Sequence, residues 1–229
     1  MSQVFVSGHK SPDTDSIAAA LSYSYLKRRL GMDAVAVRAG EINKESRFAL
    51  DYFNLEEPML VTSVARKNPE DEKQKVILVD HNESKQTIDG MDDAEVLEII
   101  DHHRFGDFES ENPIFILVRP VGCVNTVIYG LYKANHIKPS REIAGIMLSA
   151  IISDTVLFRS PTTTEEDKET AKELAEIAGV DYEAYGMGML KAGADISDYP
   201  AEKLARNDTK EFSAAGNVFT RFYLIARSF

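Results

Sequence analysis

A chain of 229 residues with 26 Lys and Arg against 37 Asp and Glu carries a formal charge of -11, which repels polyanions. No basic patch interrupts that balance, so neither nucleic acid nor an anionic membrane is an expected partner. With 44% hydrophobic residues, and no apolar run near the roughly 18 residues of a membrane helix, the chain reads as soluble with a sizeable core. A single cysteine, Cys123, rules out an intramolecular disulfide and, with no targeting leader in view, fits a cytoplasmic location.

In chain order, Val4-Phe5-Val6 is a first strand and Ser7 to Asp15 a turn carrying His9, Asp13 and Asp15. Asp15 stands where a helix N-cap belongs, ahead of a helix running to Leu30 and stopped at Gly31. Ala34 to Val37 is a second strand, Lys44 to Phe53 a helix, and Leu60-Val61-Thr62 a short strand. The apolar run Val76 to Val79 has the look of a buried parallel strand and ends in Asp80 and His81. Glu95 to Ile100 leads in the same way to Asp101-His102-His103, and Phe115 to Val118 is a further strand. Helices are expected at Asn125 to Ala134, Glu142 to Ile152, Thr164 to Ala178 and Asp181 to Ala192. Strands alternating with helices predict an α/β fold with a mainly parallel sheet flanked by helices.

Chemistry collects where the strands end. His9, His81, His102 and His103 each follow a predicted strand, whereas His136 sits elsewhere and reads as structural. His102 and His103 are adjacent, so they can share a site only if the strand has ended and the chain has turned. One would then bind metal and the other substrate. Asp154, after an apolar helix, needs a partner for its charge, which a metal would supply. His9, Asp13, Asp15, Asp80, His102 and Asp154 together can build two adjacent sites of mixed nitrogen and oxygen character. Such donors suit Mn²⁺, Co²⁺ or Fe²⁺ and point to a dinuclear hydrolase.

The segments GHKSPDTDS at 8–16, VDHNE at 79–83, DHHR at 101–104, RPVGC at 119–123 and LSAIISDTVLFRSPT at 148–162 resemble the DHH phosphoesterase superfamily. Within it the chain is similar to the manganese-dependent, family II inorganic pyrophosphatases, from residue 1 to about 212. The resemblance implies one Mn²⁺ on His9, Asp13 and Asp80, and a second on Asp15, Asp80, His102 and Asp154, with Asp80 bridging. Co²⁺ is an alternative metal, and Mg²⁺ would arrive with pyrophosphate. The same resemblance implies that His103 and Lys210 contact phosphate, that Asp101 orients a histidine, and that the protein is a homodimer.

The implied organisation is a catalytic DHH domain over 1–190, a linker over 191–200, and over 201–229 a shortened start of a C-terminal substrate-binding domain. The family's Ser-Arg-Lys-Lys run, whose Arg and Lys clamp substrate, has no counterpart here. Each missing clamp is expected to lower turnover by on the order of a hundredfold. Hydrolysis of inorganic pyrophosphate is the leading expectation. The alternatives are a DHH phosphodiesterase or exopolyphosphatase, and a catalytically impaired metal-binding remnant that dimerises.

Overall fold

The β-branched strand runs assemble into one parallel sheet of six strands: β1 (Val4–Ser7), β2 (Ala34–Arg38), β3 (Met59–Leu60), β4 (Lys75–Val79), β5 (Glu95–Asp101) and β6 (Phe115–Val118). Their spatial order is β3-β2-β1-β4-β5-β6, and every neighbouring pair is parallel. The computed structural model describes residues 3–195 and 197, together with the strands Thr209–Ala214 (β7) and Asn217–Phe222 (β8).

From β1 the chain moves outward to β2 and β3, then returns to the other side of β1 as β4. The order therefore reverses between β1 and β4, and in open parallel sheets such a switch point opens a crevice beyond the strands' carboxyl ends. The loops after β1, β4 and β5 meet there, which brings together three segments distant in sequence.

Side chains alternate across the sheet. Val4, Val6, Ile77 and Val79 pack into the larger core with the helices, and Val76, Leu78 and Ile99 into a smaller one on the other face. The helices are α1 (Thr14–Arg29), α2 (Lys44–Tyr52), α3 (Val124–Ala134), α4 (Arg141–Thr155), α5 (Glu165–Ala178) and α6 (Tyr182–Gly193). The opposite face is covered by connections containing only short 3-10 turns, Ser84–Gln86 and Met91–Asp93. α4 is apolar on nearly all sides because α1, α2, α3, α5 and α6 all touch it.

The sequence expectations need adjustment at several ends. Asp13, not Asp15, caps α1, its side chain accepting from the Ser16 N–H. The third strand is Met59–Leu60, not 60–62, since only these two residues keep register with Val37 and Arg38. α4 continues through Thr155, so Asp154 lies within its last turn. α6 runs to Gly193, into the stretch read as linker. β7 and β8 form an antiparallel pair in a segment for which no strands were expected.

Gly145 of α4 faces Phe53, the residue that caps α2's C-terminus. A Cβ there would lie 2.2 Å from Cε1 of the buried Phe53 ring. Gly145→Ala should destabilise the chain by about 1–3 kcal/mol, against the usual gain for Ala in a helix. Urea unfolding followed by circular dichroism measures it, and an unchanged midpoint would mean that the ring yields freely.

Candidate metal centre

Asp80 is the residue on which the site converges. It follows β4 with a φ of 63°, a left-handed conformation tolerated by Asp, while its N–H still bonds the Ile100 carbonyl of β5. The carboxylate is 2% exposed, and neither oxygen has a hydrogen-bond partner. Oδ2 lies 3.4 Å from His9 Nε2, and Oδ1 lies 3.3 Å from His102 Nε2. Burial, and then the charge of Asp15, push its pKa up to about 6 despite the two imidazoles.

On the Oδ2 side, His9 Nε2 also stands 3.6 Å from Asp13 Oδ2. Asp13 divides its oxygens, Oδ1 capping α1 through the Ser16 N–H at 2.9 Å while Oδ2 faces His9. Burial disfavours the Asp13 charge, but the His9 contact and the Ser16 N–H hold its pKa below the ordinary value. Burial likewise disfavours a charged His9, yet Asp13 and Asp80 outweigh it and bring its pKa to about 10.

On the Oδ1 side, His102 Nε2 is 3.6 Å from Asp15 Oδ2 and 3.9 Å from Asp154 Oδ2. The Val121 carbonyl, 3.0 Å from His102 Nδ1, can only accept, which places the proton on Nδ1 and turns Nε2 toward the carboxylates. His102 is raised to about 9, Asp80 and Asp15 overcoming the effect of burial. Burial and then the charge of Asp15 lift the Asp154 carboxyl well above its usual range. Asp154 is fixed by an unusual helix end: Val156, Leu157 and Phe158 all have positive φ (48°, 52° and 64°), which stops α4 immediately beyond it.

Asp101 organises the turn after β5. Its Oδ1 accepts from the His102 N–H (2.7 Å), the His103 N–H (3.1 Å) and His103 Nδ1 (2.9 Å), and its Oδ2 from Asn82 Nδ2 (2.5 Å). Asp101 stays charged below its usual pKa because these donors prevail over burial, and its bond raises His103. His103 remains 54% exposed.

All six residues expected as ligands thus line one centre. His9, Asp13 and Asp80 have ligand atoms within 4.8 Å of one another, as do Asp80, Asp101, His102 and His103, and Asp15, Cys123 and Asp154. The unpartnered buried oxygens of Asp80 between two imidazoles, and the mix of carboxylate and imidazole donors, fit borderline-hard divalent cations such as manganese. Lys210 lies on β7, and its side chain is outside what the structure describes. His136 is exposed on a turn after α3, and its φ of 55° is left-handed.

Two groups with a place here carry no expected role in the sequence reading. His81 is 2% exposed, its Nδ1–H donating to the Val79 carbonyl, and burial lowers its pKa to about 4. The segment 122–125, which runs into the first turn of α3, reaches Asp15, with Cys123 Sγ, the Val124 N–H and Asn125 Nδ2 all bonded to its carboxylate. The signal for the second was the glycine in RPVGC just before a helix, a place where backbone N–H groups point outward unpaired.

Comparison with known proteins gives the family. The model of the DHH family's N-terminal domain matches residues 3–151. The manganese-dependent inorganic pyrophosphatase of Bacillus subtilis is 51% identical over 213 residues, covering 93% of this chain and 67% of that protein. This chain belongs to the DHH family, among the manganese-dependent inorganic pyrophosphatases. Another member, from an Exiguobacterium species, is 53% identical over 213 residues, with the same 93% and 67% coverage, so the chain spans about two thirds of the length of these relatives. The crystal structure of a Methanococcus jannaschii protein described as a family II inorganic pyrophosphatase superposes with a TM-score of 0.80 at 40% identity, over 95% of this chain and 70% of that one. An exopolyphosphatase-related protein from Bacteroides fragilis shares the fold, with a TM-score of 0.62 at 18% identity over 88% of this chain and 58% of its own.

His9 and His102, with pKa values of about 10 and 9, hold protons at neutral pH that a metal must displace. Mn²⁺ affinity should therefore climb as pH rises toward those values, with at least one proton released per chain at pH 7.5. Titration calorimetry in buffers of different ionisation enthalpy reads that number directly, and zero release would contradict the assignment of these imidazoles.

Proposed function

We propose that this chain hydrolyses inorganic pyrophosphate to two phosphates at a dinuclear manganese centre. The observation that carries the reading is the split of Asp80, whose two oxygens face two separate sets of donors. His9, Asp13 and Asp80 would hold one ion, and Asp15, Asp80, His102 and Asp154 the other. When bound, the two ions supply charge that polarises the phosphoryl oxygens and makes water a nucleophile near neutral pH.

The chain's own groups do the remaining work. Asp80, inaccessible to solvent, keeps the two donor sets at a fixed separation. Asp101 accepts from His103 Nδ1–H and favours the protonated ring, whose Nε2–H can then donate to a phosphate oxygen as negative charge develops there. Lys210 supplies a second positive contact to phosphate. Co²⁺ can replace Mn²⁺, and Mg²⁺ accompanies the substrate. The reading takes residues 1–190 as the catalytic domain, 191–200 as a linker and 201–229 as the beginning of the substrate-binding domain. It includes a cytoplasmic location without nucleic-acid or membrane partners; among the described residues no helix is long and apolar enough to cross a membrane.

Homodimer formation belongs to the same reading. β6 is an edge strand whose Phe115 and Ile116 are 50% and 41% exposed, so it offers unpaired backbone groups beside apolar side chains. Light scattering on the eluted protein should give twice the chain mass, and Ile116→Glu should halve it. A dimer that survives the substitution would move the interface elsewhere.

The test of activity is phosphate release from magnesium pyrophosphate by metal-stripped protein, with and without added Mn²⁺. Release should depend on Mn²⁺ and fall by at least a hundredfold in Asp80→Ala. Metal binding without phosphate release would end the pyrophosphatase reading for this chain.

A further inference from the structure

Asp15 has more partners than a ligand needs. Its Oδ1 accepts from Cys123 Sγ at 2.9 Å and from Asn125 Nδ2 at 2.7 Å, and its Oδ2 from the Val124 N–H at 2.8 Å. A carboxylate has about four lone-pair positions, so these donors fill three. The one left is on Oδ2, the oxygen 3.6 Å from His102 Nε2.

The donors are themselves held from both sides. Asn125 Oδ1 accepts from the Ser22 hydroxyl at 2.8 Å, which fixes the amide so that its nitrogen faces Asp15. Ser22 lies seven positions after Asp15 on α1, so the helix that carries the carboxylate also sets the group that orients it. On the far side, the buried Asp167 of α5 accepts from the Gly122 N–H at 2.9 Å and from the Thr126 hydroxyl at 2.6 Å. A Cβ on Gly122 would stand 2.7 Å from Asp167 Oδ2, so only glycine lets the turn approach that closely.

We infer that Cys123 and Asn125 are positioning residues that restrict Asp15 to a single ligating lone pair on Oδ2 and thereby set the affinity of the metal position shared by Asp15, His102 and Asp154. The thiol acts as a hydrogen-bond donor to the carboxylate and not as a ligand. This inference rests on the dinuclear reading above. It predicts an asymmetric effect: the hydrogen bonds of residues 122–126 go to Asp15 and Asp167, and not to His9 or Asp13, so the position on His9, Asp13 and Asp80 should be affected far less.

The test is Mn²⁺ binding to metal-stripped full chain, followed by the electron paramagnetic resonance of free Mn²⁺ and by the coupled signal of a filled pair. Wild type should bind two ions. Asn125→Ala and Cys123→Ala should each weaken one binding step by about tenfold to a hundredfold, leave the other within about threefold, and delay the coupled signal to higher Mn²⁺. Cys123→Ser keeps a donor and should restore most of the loss. Ser22→Ala, remote from the carboxylate, should give a smaller loss in the same step, and serves if the Asn125 variant does not fold. Wild-type binding in these variants, or equal weakening of both steps with a lower melting temperature, would reduce the turn to a structural role. Absence of Mn²⁺ binding by wild type would overturn the metal centre itself, and this inference with it.

Discussion

Burying the Asp80 carboxylate without a hydrogen-bond donor is costly, and much of the architecture answers it. An isolated charge in such a place would neutralise itself. Here two imidazoles approach it, and three further carboxylates crowd around those imidazoles. Negative charge is therefore concentrated beyond what the protein's own cations balance locally. The nearest positive groups are histidines, and each gives up its proton to a cation more readily than lysine or arginine would. The chain carries a standing electrostatic deficit at the crevice of its sheet, of the sign that draws divalent metal.

The sheet order explains why the deficit arises there. Reversal between β1 and β4 leaves the strand ends uncovered by a crossover, and β5 adds its own turn on the same side. The helical face builds the large core and supplies Asp15 and Asp154 from α1 and α4. The opposite face, roofed by loops, contributes no ligand; its smaller core supports β4 and β5 from behind.

Much of this was legible in the residues. Continuous apolar runs ending in Asp and His mark buried parallel strands with polar tips, and Val76 to Asp80 behaves that way in the structure; β5 does so only over Ile99 to Asp101, its earlier residues being exposed or half-buried. What one dimension hid was the division of labour between neighbours. Asp13 and Asp15 are alike in type and two residues apart, and only the backbone decides that Asp13 is the cap and Asp15 lies inside the first turn. The role of the 122–126 turn was equally hidden, because its contact with Asp15 spans more than a hundred residues of chain. The hairpin of β7 and β8 pairs short polar and apolar residues without the clean alternation that would have announced it.

The double use of Asp13 bears on how quickly an ion can come and go. One oxygen begins a helix whether or not anything occupies the crevice, so the loop from His9 to Asp15 is set when the domain folds. An arriving cation meets donors whose chain entropy was already lost at that earlier stage. It has only to shed water and displace protons, without reorganising the backbone. Desolvation and proton displacement, rather than chain motion, would then set how readily a cation bound by these residues exchanges.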